Sequence, residues 1–170
     1  MCLSIAWFAV YTYLGSTLIE VTHVSPAMAA LVFSVFGVGM TVGNLVVPRF
    51  ADRALMPTAG MLLVGSAAVL AIYPFAATNF WTVTVDVFLI GVGGALATVL
   101  QTRLMDVAGD AQSLAATLNH SAFNVANALG PWLGGMAIAA GLGLASTGYV
   151  GCALAIGGLA VWGISRAMSA

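Results

Sequence analysis

The chain consists of long apolar runs separated by short polar breaks. About 20 helical residues, at roughly 1.5 Å of rise each, cross the hydrocarbon core of a bilayer. A backbone in lipid must satisfy its own hydrogen bonds, so continuous apolar runs predict helices, whereas a β-barrel would show short alternating segments. The predicted spans are residues 3–21, 26–47, 57–77, 80–101, 113–140 and 146–166.

Composition supports this prediction. The chain is 62% hydrophobic and 5% charged, whereas a soluble domain is about half apolar and about a quarter charged. We therefore predict an all-α integral membrane protein with a single six-helix transmembrane domain over residues 1–170. The net charge of −1 gives no sign of a nucleic-acid partner. The N-terminus has no basic region or cleavage site typical of a signal peptide.

The most polar stretch, residues 48–53, predicts a charged hairpin between the second and third spans. The four basic residues are all arginines and, with six spans, all fall on one side together with both termini. The positive-inside rule places that side in the cytoplasm, which favours the bacterial inner membrane. These arginines are Arg49, Arg53, Arg103 and Arg166.

The fifth span carries a polar stripe at helical spacing. Polar residues at membrane depth are costly, so the stripe predicts the lining of a cavity filled by water or substrate. Alternatively, its two asparagines hydrogen-bond neighbouring helices. A proline at the end of the stripe predicts a helix kink. The stripe consists of Ser113, Thr117, His120, Asn124, Asn127 and the kink residue Pro131.

Other polar residues in the spans are fewer. Tyr13, Thr17 and Glu20 share one face of the first span, where Glu20 is expected to be solvated at the outer end. Asp86 lies about 9 Å inside the fourth span, so it is a candidate for proton exchange or an acid that simply reaches water. His120 is a second candidate for proton exchange, or else a hydrogen-bonding group.

The sequence contains no motif of a hydrolase, a metal site or a phosphate-binding loop. The two cysteines, Cys2 and Cys152, lie in apolar runs and form neither a disulfide framework nor a metal site. We therefore expect a protein that is not an enzyme and that has no cofactor or metal. Twenty glycines predict tight helix packing or, alternatively, smooth helix faces that slide during a conformational cycle.

Several stretches resemble the C-terminal six-helix half of a major facilitator superfamily transporter, in particular the branch of drug:proton antiporters and arabinose-efflux-permease-like proteins. The most specific is similar to the eleventh helix of that family, with SAFN at 121–124, NALG at 127–130 and GG at 134–135. GN at 43–44 and DR at 52–53 resemble the eighth helix and its cytoplasmic loop. YTYL at 11–14, EVT at 20–22 and LQTRLM at 100–105 resemble parts of the seventh and tenth helices.

The resemblance implies a 3+3 inverted repeat and transport by alternating access. It also implies a gating loop at Arg49, Asp52 and Arg53, where the carboxylate favours one access state. The chain departs from the family pattern in opening this loop with Pro48 and in placing His23 where a turn glycine is common. The substrate pathway is expected to include Tyr13, Thr17, His120, Asn124 and Asn127.

The function implied is proton-coupled efflux of a small organic solute of the drug or sugar class. Because alternating access needs two halves around one site, the expected partners are a missing N-terminal half or a second copy, besides substrate, protons and lipid. The abrupt apolar start at Met1 favours a truncated chain. The alternative function is a membrane scaffold that does not transport, or a degenerate transporter fragment.

Overall fold

The computed structural model describes residues 2–168, and in these the prediction of an all-α bundle is confirmed. Within the described residues, five stretches are long and apolar enough to cross a membrane, the shortest of them 21 residues. The first helix has 19 residues, which at about 1.5 Å of rise each nearly match the hydrocarbon core. The helices are α1 (Cys2–Glu20), α2 (Pro26–Ala51), α3 (Leu55–Ala76), α4 (Phe80–Gly93), α5 (Ala95–Val107), α6 (Gln112–Ala137) and α7 (Thr147–Met168).

Two helices differ in extent from the apolar runs that predicted them. α2 continues past Val47 and through Pro48 to Ala51, so Arg49 lies in the last helical turn and donates to the Leu45 carbonyl. The charged hairpin is therefore shorter than predicted. Its first residues, although polar, are still part of the helix α2. The fourth span consists of α4 and α5, which meet at Gly94.

The connections are short and contain backbone conformations that favour glycine. The turn after α1 places His23 at a φ of 57°, in the left-handed region. In the family that the sequence resembles, a glycine is common at this position. Glycine has no Cβ atom and therefore adopts a positive φ without steric cost. α6 continues through Pro131 to Ala137, and a π-helical turn follows at Ile138–Leu142. The kink predicted at Pro131 stays a prediction.

Helix packing follows an internal two-fold pattern. α1 packs against α6 and α7, while α4 packs against α2 and α3, and α3 packs against α7. Exchanging the first three spans with the last three converts the two pairings of α1 into the two pairings of α4 and leaves the pairing of α3 with α7 unchanged. This is the arrangement of a 3+3 inverted repeat. The two halves share little sequence, so the repeat is visible in the packing more clearly than in the residues.

Glycines allow the closest of these helix contacts, first between α2 and α4. A methyl group at Gly39 would collide with the carbonyl oxygen of Phe88, and one at Gly43 would lie 2.5 Å from the carbonyl oxygen of Val92. No side chain fits at such separations, so the two backbones touch only because these positions are glycine.

The crossing of α6 over α1 repeats this arrangement. A methyl group at Gly130 would lie 2.6 Å from the carbonyl oxygen of Ile5, and one at Gly134 would lie 3.2 Å from that of Ala9. The two glycines are four residues apart in both crossings, so each pair occupies one face of its helix. The two crossings occupy equivalent positions in the inverted repeat.

Filling a crossing glycine should destabilise the bundle. We expect Gly43→Ala and Gly130→Ala each to lower the free energy of unfolding by about 1–3 kcal/mol, because the backbones must separate. The measurement is the thermal unfolding midpoint in detergent. Gly37→Ala and Gly157→Ala are matched controls, since nothing lies within 4 Å of either added methyl group. Equal midpoints for the two pairs of variants would contradict this account of the packing.

Candidate functional site

α6 has two exposed faces of opposite character. At 100° per residue the polar stripe predicted from sequence occupies one side of the helix, and all of its members except the half-buried Pro131 are exposed. The other exposed side is apolar, which is the composition that acyl chains cover. Its large side chains are Leu114, Leu118, Val125, Trp132 and Met136.

α2, the counterpart of α6 in the repeat, also exposes polar residues along one side. Ser34, Gly37, Thr41 and Asn44 are exposed and follow one another at spacings of three or four residues, so they share one face. The hydroxyl groups of Ser34 and Thr41 donate to the carbonyl oxygens of Ala30 and Gly37 within the helix. Leu31, Val38, Val42 and Leu45 are exposed beside this polar row, so the exposed surface of α2 is mixed.

The sequence analysis missed the polar face of α2. The only signal for it was the alternation of small and weakly polar residues at helical spacing, which is hard to separate from the packing glycines Gly39 and Gly43 on the same helix. The exposure of Ser34, Thr41 and Asn44 makes the separation clear, because Gly39 and Gly43 are buried.

α1 lies between these two helices and exposes hydroxyl groups of its own. The ring of Tyr11 contacts those of Phe33 and Phe36 on α2, with centroids 5.6 and 4.8 Å away. Tyr11 itself is exposed, and so are Thr12 and Ser16.

On its other side α1 reaches α6 through aromatic and polar contacts. The rings of Phe8 and Phe123 meet edge to face with centroids 6.1 Å apart. Nearer the C-terminal end of α1, the Tyr13 hydroxyl donates to the Pro131 carbonyl oxygen at 2.9 Å. α1 thus joins the polar faces of α2 and α6, and the exposed polar side chains of these three helices are called the polar surface below.

The predicted pathway residues divide between two environments. His120, Asn124 and Asn127 are exposed on the polar surface, and the half-buried Tyr13 lies at its edge. Thr17 is 0% exposed, and its hydroxyl donates to the Tyr13 carbonyl oxygen at 2.9 Å. The structure therefore places Thr17 inside the bundle, where the bond to its own helix satisfies the buried hydroxyl.

The predicted gating residues line a cleft at the arginine end of the bundle. Asp52 and Arg53 border a cavity of about 530 Å³ between the end of α2 and α5. Arg103 and Asp106, one turn apart on α5, border the same cavity. The cleft thus brings together two acids and two arginines, of which the sequence analysis had used Arg103 only for orientation. Arg49 lies one helical turn away in α2.

Asp86 lies apart from both sites. It is 5% exposed and borders a groove between α3 and α4. Its predicted role in proton exchange stays a prediction, as does that of His120. Within residues 2–168, no three His, Cys, Asp or Glu side chains are grouped so that they could hold a metal ion.

The link between α1 and α6 can be tested at Tyr13. We expect Tyr13→Phe to lower the free energy of unfolding by about 1 kcal/mol, because the Pro131 carbonyl oxygen loses a half-buried hydrogen bond. The measurement is the thermal unfolding midpoint in detergent. Tyr11→Phe is the matched control, since its exposed ring contributes packing only. An equal change in both variants would show that the hydroxyl contact contributes nothing.

Comparisons with known proteins identify the family. The family model described as Major Facilitator Superfamily matches residues 1–167. The chain is 37% identical over 152 residues to "Inner membrane transport protein YdhP" of Escherichia coli (strain K12), covering 88% of this chain and 39% of that protein. It is 31% identical over 155 residues to a "Probable sugar efflux transporter" of Helicobacter pylori (strain ATCC 700392 / 26695), covering 88% of this chain and 38% of that protein.

A third relative is "Uncharacterized MFS-type transporter YtbD" of Bacillus subtilis (strain 168), 27% identical over 169 residues, with 95% of this chain and 42% of that protein covered. The chain thus spans about two fifths of the length of these relatives. Its match to the family model extends over nearly all of its residues. This chain belongs to the Major Facilitator Superfamily.

Proposed function

We propose that the chain forms the second half of an efflux transporter that exports a small organic solute in exchange for protons. Membrane transport itself follows from the family, and the relatives include a protein named as a probable sugar efflux transporter. The observation that carries the finer proposal is the division of α6 into a polar and an apolar exposed face.

The polar face of α6 requires an environment other than lipid, such as water or another protein surface. Asn124 and Asn127 lie near the middle of the helix, where unpaired amide groups in hydrocarbon cost free energy. An aqueous cleft between two halves satisfies them, and the apolar face then contacts acyl chains. The relatives are more than twice as long as this chain, which leaves them room for a second half. A second copy of this chain is the alternative cover.

The polar surface favours a solute that forms hydrogen bonds without carrying a strong charge. Its groups at membrane depth are hydroxyls and amides, such as Thr41, Asn44, Asn124 and Asn127. These can donate to and accept from hydroxyl groups of a solute, as a sugar requires. His120 lies on the same surface and is the group we propose for proton exchange, since the ring nitrogens of an imidazole can accept and donate a proton.

The cleft at the arginine end supports the proposal of a gate. Asp52, Arg53, Arg103 and Asp106 all line a cavity of about 530 Å³. Small movements of α5 relative to the end of α2 would change the distances between these acids and arginines. Such a change in electrostatic energy can bias a two-state equilibrium between access states.

Transport should depend on the polar face of α6. In a transporter that contains this chain together with a second half, we expect Asn124→Leu and Asn127→Leu each to reduce efflux at least tenfold. The measurement is efflux of a labelled sugar or drug from proteoliposomes. Val125→Leu, on the apolar face, is the matched control and should retain efflux.

Unchanged efflux in normally inserted Asn124 and Asn127 variants would contradict the pathway. Absence of substrate-dependent flux in the unmodified protein with each candidate partner present would favour the scaffold or degenerate fragment instead.

The gate makes a separate prediction. We expect Asp52→Asn to change the rate of efflux by about tenfold while leaving the affinity for solute within about twofold, because the cleft lies at the end of the bundle, away from Asn124. The measurement combines efflux with equilibrium binding of the same solute. Asp110→Asn removes a charge from the exposed turn after α5 and is the control. A large loss of binding in Asp52→Asn would place Asp52 in the solute site and contradict the gate.

A further inference from the structure

α3 and α7, which do not contribute to the polar surface, form a groove between them. It has a volume of about 550 Å³ and a mainly apolar lining that includes Met61, Val64 and Leu159. Met61 is 75% exposed and Val64 is 54% exposed. Lipid tails are as apolar as such side chains, so an acyl chain is a suitable neighbour for the lining.

Two glycines and a tryptophan give the groove its shape. A methyl group at Gly60 would lie 2.6 Å from Cζ2 of Trp162, so the indole packs directly against the backbone of α3. The Nε1 atom of Trp162 donates to the Met56 carbonyl oxygen at 3.0 Å, which holds the ring in place as one wall. A methyl group at Gly65 would have nothing within 4 Å, so the groove is open at this position.

Arg166 places a positive charge at one end of the groove. It lies in the last turn of α7, and its Cζ atom is 5.5 Å from the centroid of the Trp162 ring. At this distance the guanidinium is attracted to the indole face, while its exposed side chain keeps N–H donors accessible. Among the described residues that line the groove, Arg166 alone is charged. Asp52 and Asp106 line the separate cleft between α2 and α5.

The groove extends over about the depth of one lipid leaflet. Pro57 and Gly65 both line it, and α3 rises about 12 Å between them. Half of a hydrocarbon core measures about 15 Å. The bond from Trp162 to Met56 places Arg166 at the same end as Pro57. The cation therefore lies at the membrane boundary, the indole lies at the level typical of interfacial tryptophans, and the apolar lining lies deeper.

We propose that this groove binds an anionic phospholipid, with its phosphate on Arg166 and an acyl chain along α3 and α7. A guanidinium donates two parallel hydrogen bonds to phosphate oxygens, and its charge attracts a headgroup with a net negative charge. In phosphatidylcholine the positive choline group offsets the phosphate, so its attraction to Arg166 is weaker. This lipid site goes beyond the transport function and does not rest on it.

A second copy of the chain fits the groove less well. The commonest contact between two copies is a two-fold one, in which the same surface of each copy meets the other. With both copies in the same orientation in the membrane, this contact would bring the two Arg166 side chains together at one end. Their like charges repel each other, whereas a phosphate neutralises the one charge that is present.

The test is native mass spectrometry of the purified chain with phosphatidylglycerol and phosphatidylcholine of identical acyl chains. We expect retention of phosphatidylglycerol to exceed that of phosphatidylcholine about fivefold, as the attraction of one arginine for an anionic headgroup gives. Arg166→Gln should abolish this preference, whereas Arg49→Gln, which removes another exposed arginine, should retain it. Equal retention of the two lipids by the unmodified chain would overturn the proposal. An equal loss of preference in both variants would overturn it too, since the preference would then come from the overall charge.

A second measurement tests the groove without changing Arg166. We expect Gly65→Leu to lower the retention of phosphatidylglycerol about fivefold, because the new side chain fills open space where the acyl chain lies. Gly157→Leu is the matched control and should retain the lipid. An added methyl group at Gly157 also meets nothing within 4 Å, and nine residues place it on the opposite side of α7 from Arg166.

Unchanged retention in Gly65→Leu would place the lipid elsewhere and contradict the groove. A dimer that forms without phospholipid and is lost in Gly65→Leu would overturn the lipid in favour of a second copy of the chain.

Discussion

Close backbone contact at two glycine crossings determines how the bundle presents its polar residues. Gly39 and Gly43 bring α2 against α4, and Gly130 and Gly134 bring α6 against α1. In lipid, apolar side chains gain little by associating, so helices are held together by packing at such short range. Once the glycine face of a helix is buried, the residues on its other faces are the ones that remain exposed. On α6 that remainder separates into a polar face and an apolar face, whereas on α2 a polar row lies among exposed apolar residues.

The internal repeat places the polar residues of α2 and α6 on either side of α1. Because α2 and α6 occupy equivalent positions, their polar faces flank α1 from both sides, and the three helices form one polar surface. Thr17 lies on the other side of α1, buried in the bundle, and is not part of this surface. Membership of the Major Facilitator Superfamily accounts for a surface of this kind, because that fold transports solutes between two six-helix halves.

Sequence reasoning reached the parts of this account that depend on local periodicity. The apolar runs predicted the helical bundle, and the spacing of Asn124 and Asn127 predicted that they share a face. It missed the polar face of α2, because Ser34 and Asn44 alternate with glycines whose burial only packing reveals. It also left Asp106 unconnected to Asp52, since these acids meet only through tertiary structure. The burial of Asp86 likewise depends on how α3 and α4 pack together.

The central claim is that the polar face of α6 borders water while its apolar face borders lipid. Single cysteines at Asn124 and at Val125, introduced into the full transporter lacking Cys2 and Cys152, test it through the rate of labelling by a water-soluble thiol reagent in intact membranes. These two positions are adjacent in sequence and differ by 100° around the helix. The account predicts that the cysteine at Asn124 is labelled at least tenfold faster. Equal rates, or faster labelling at Val125, would contradict it.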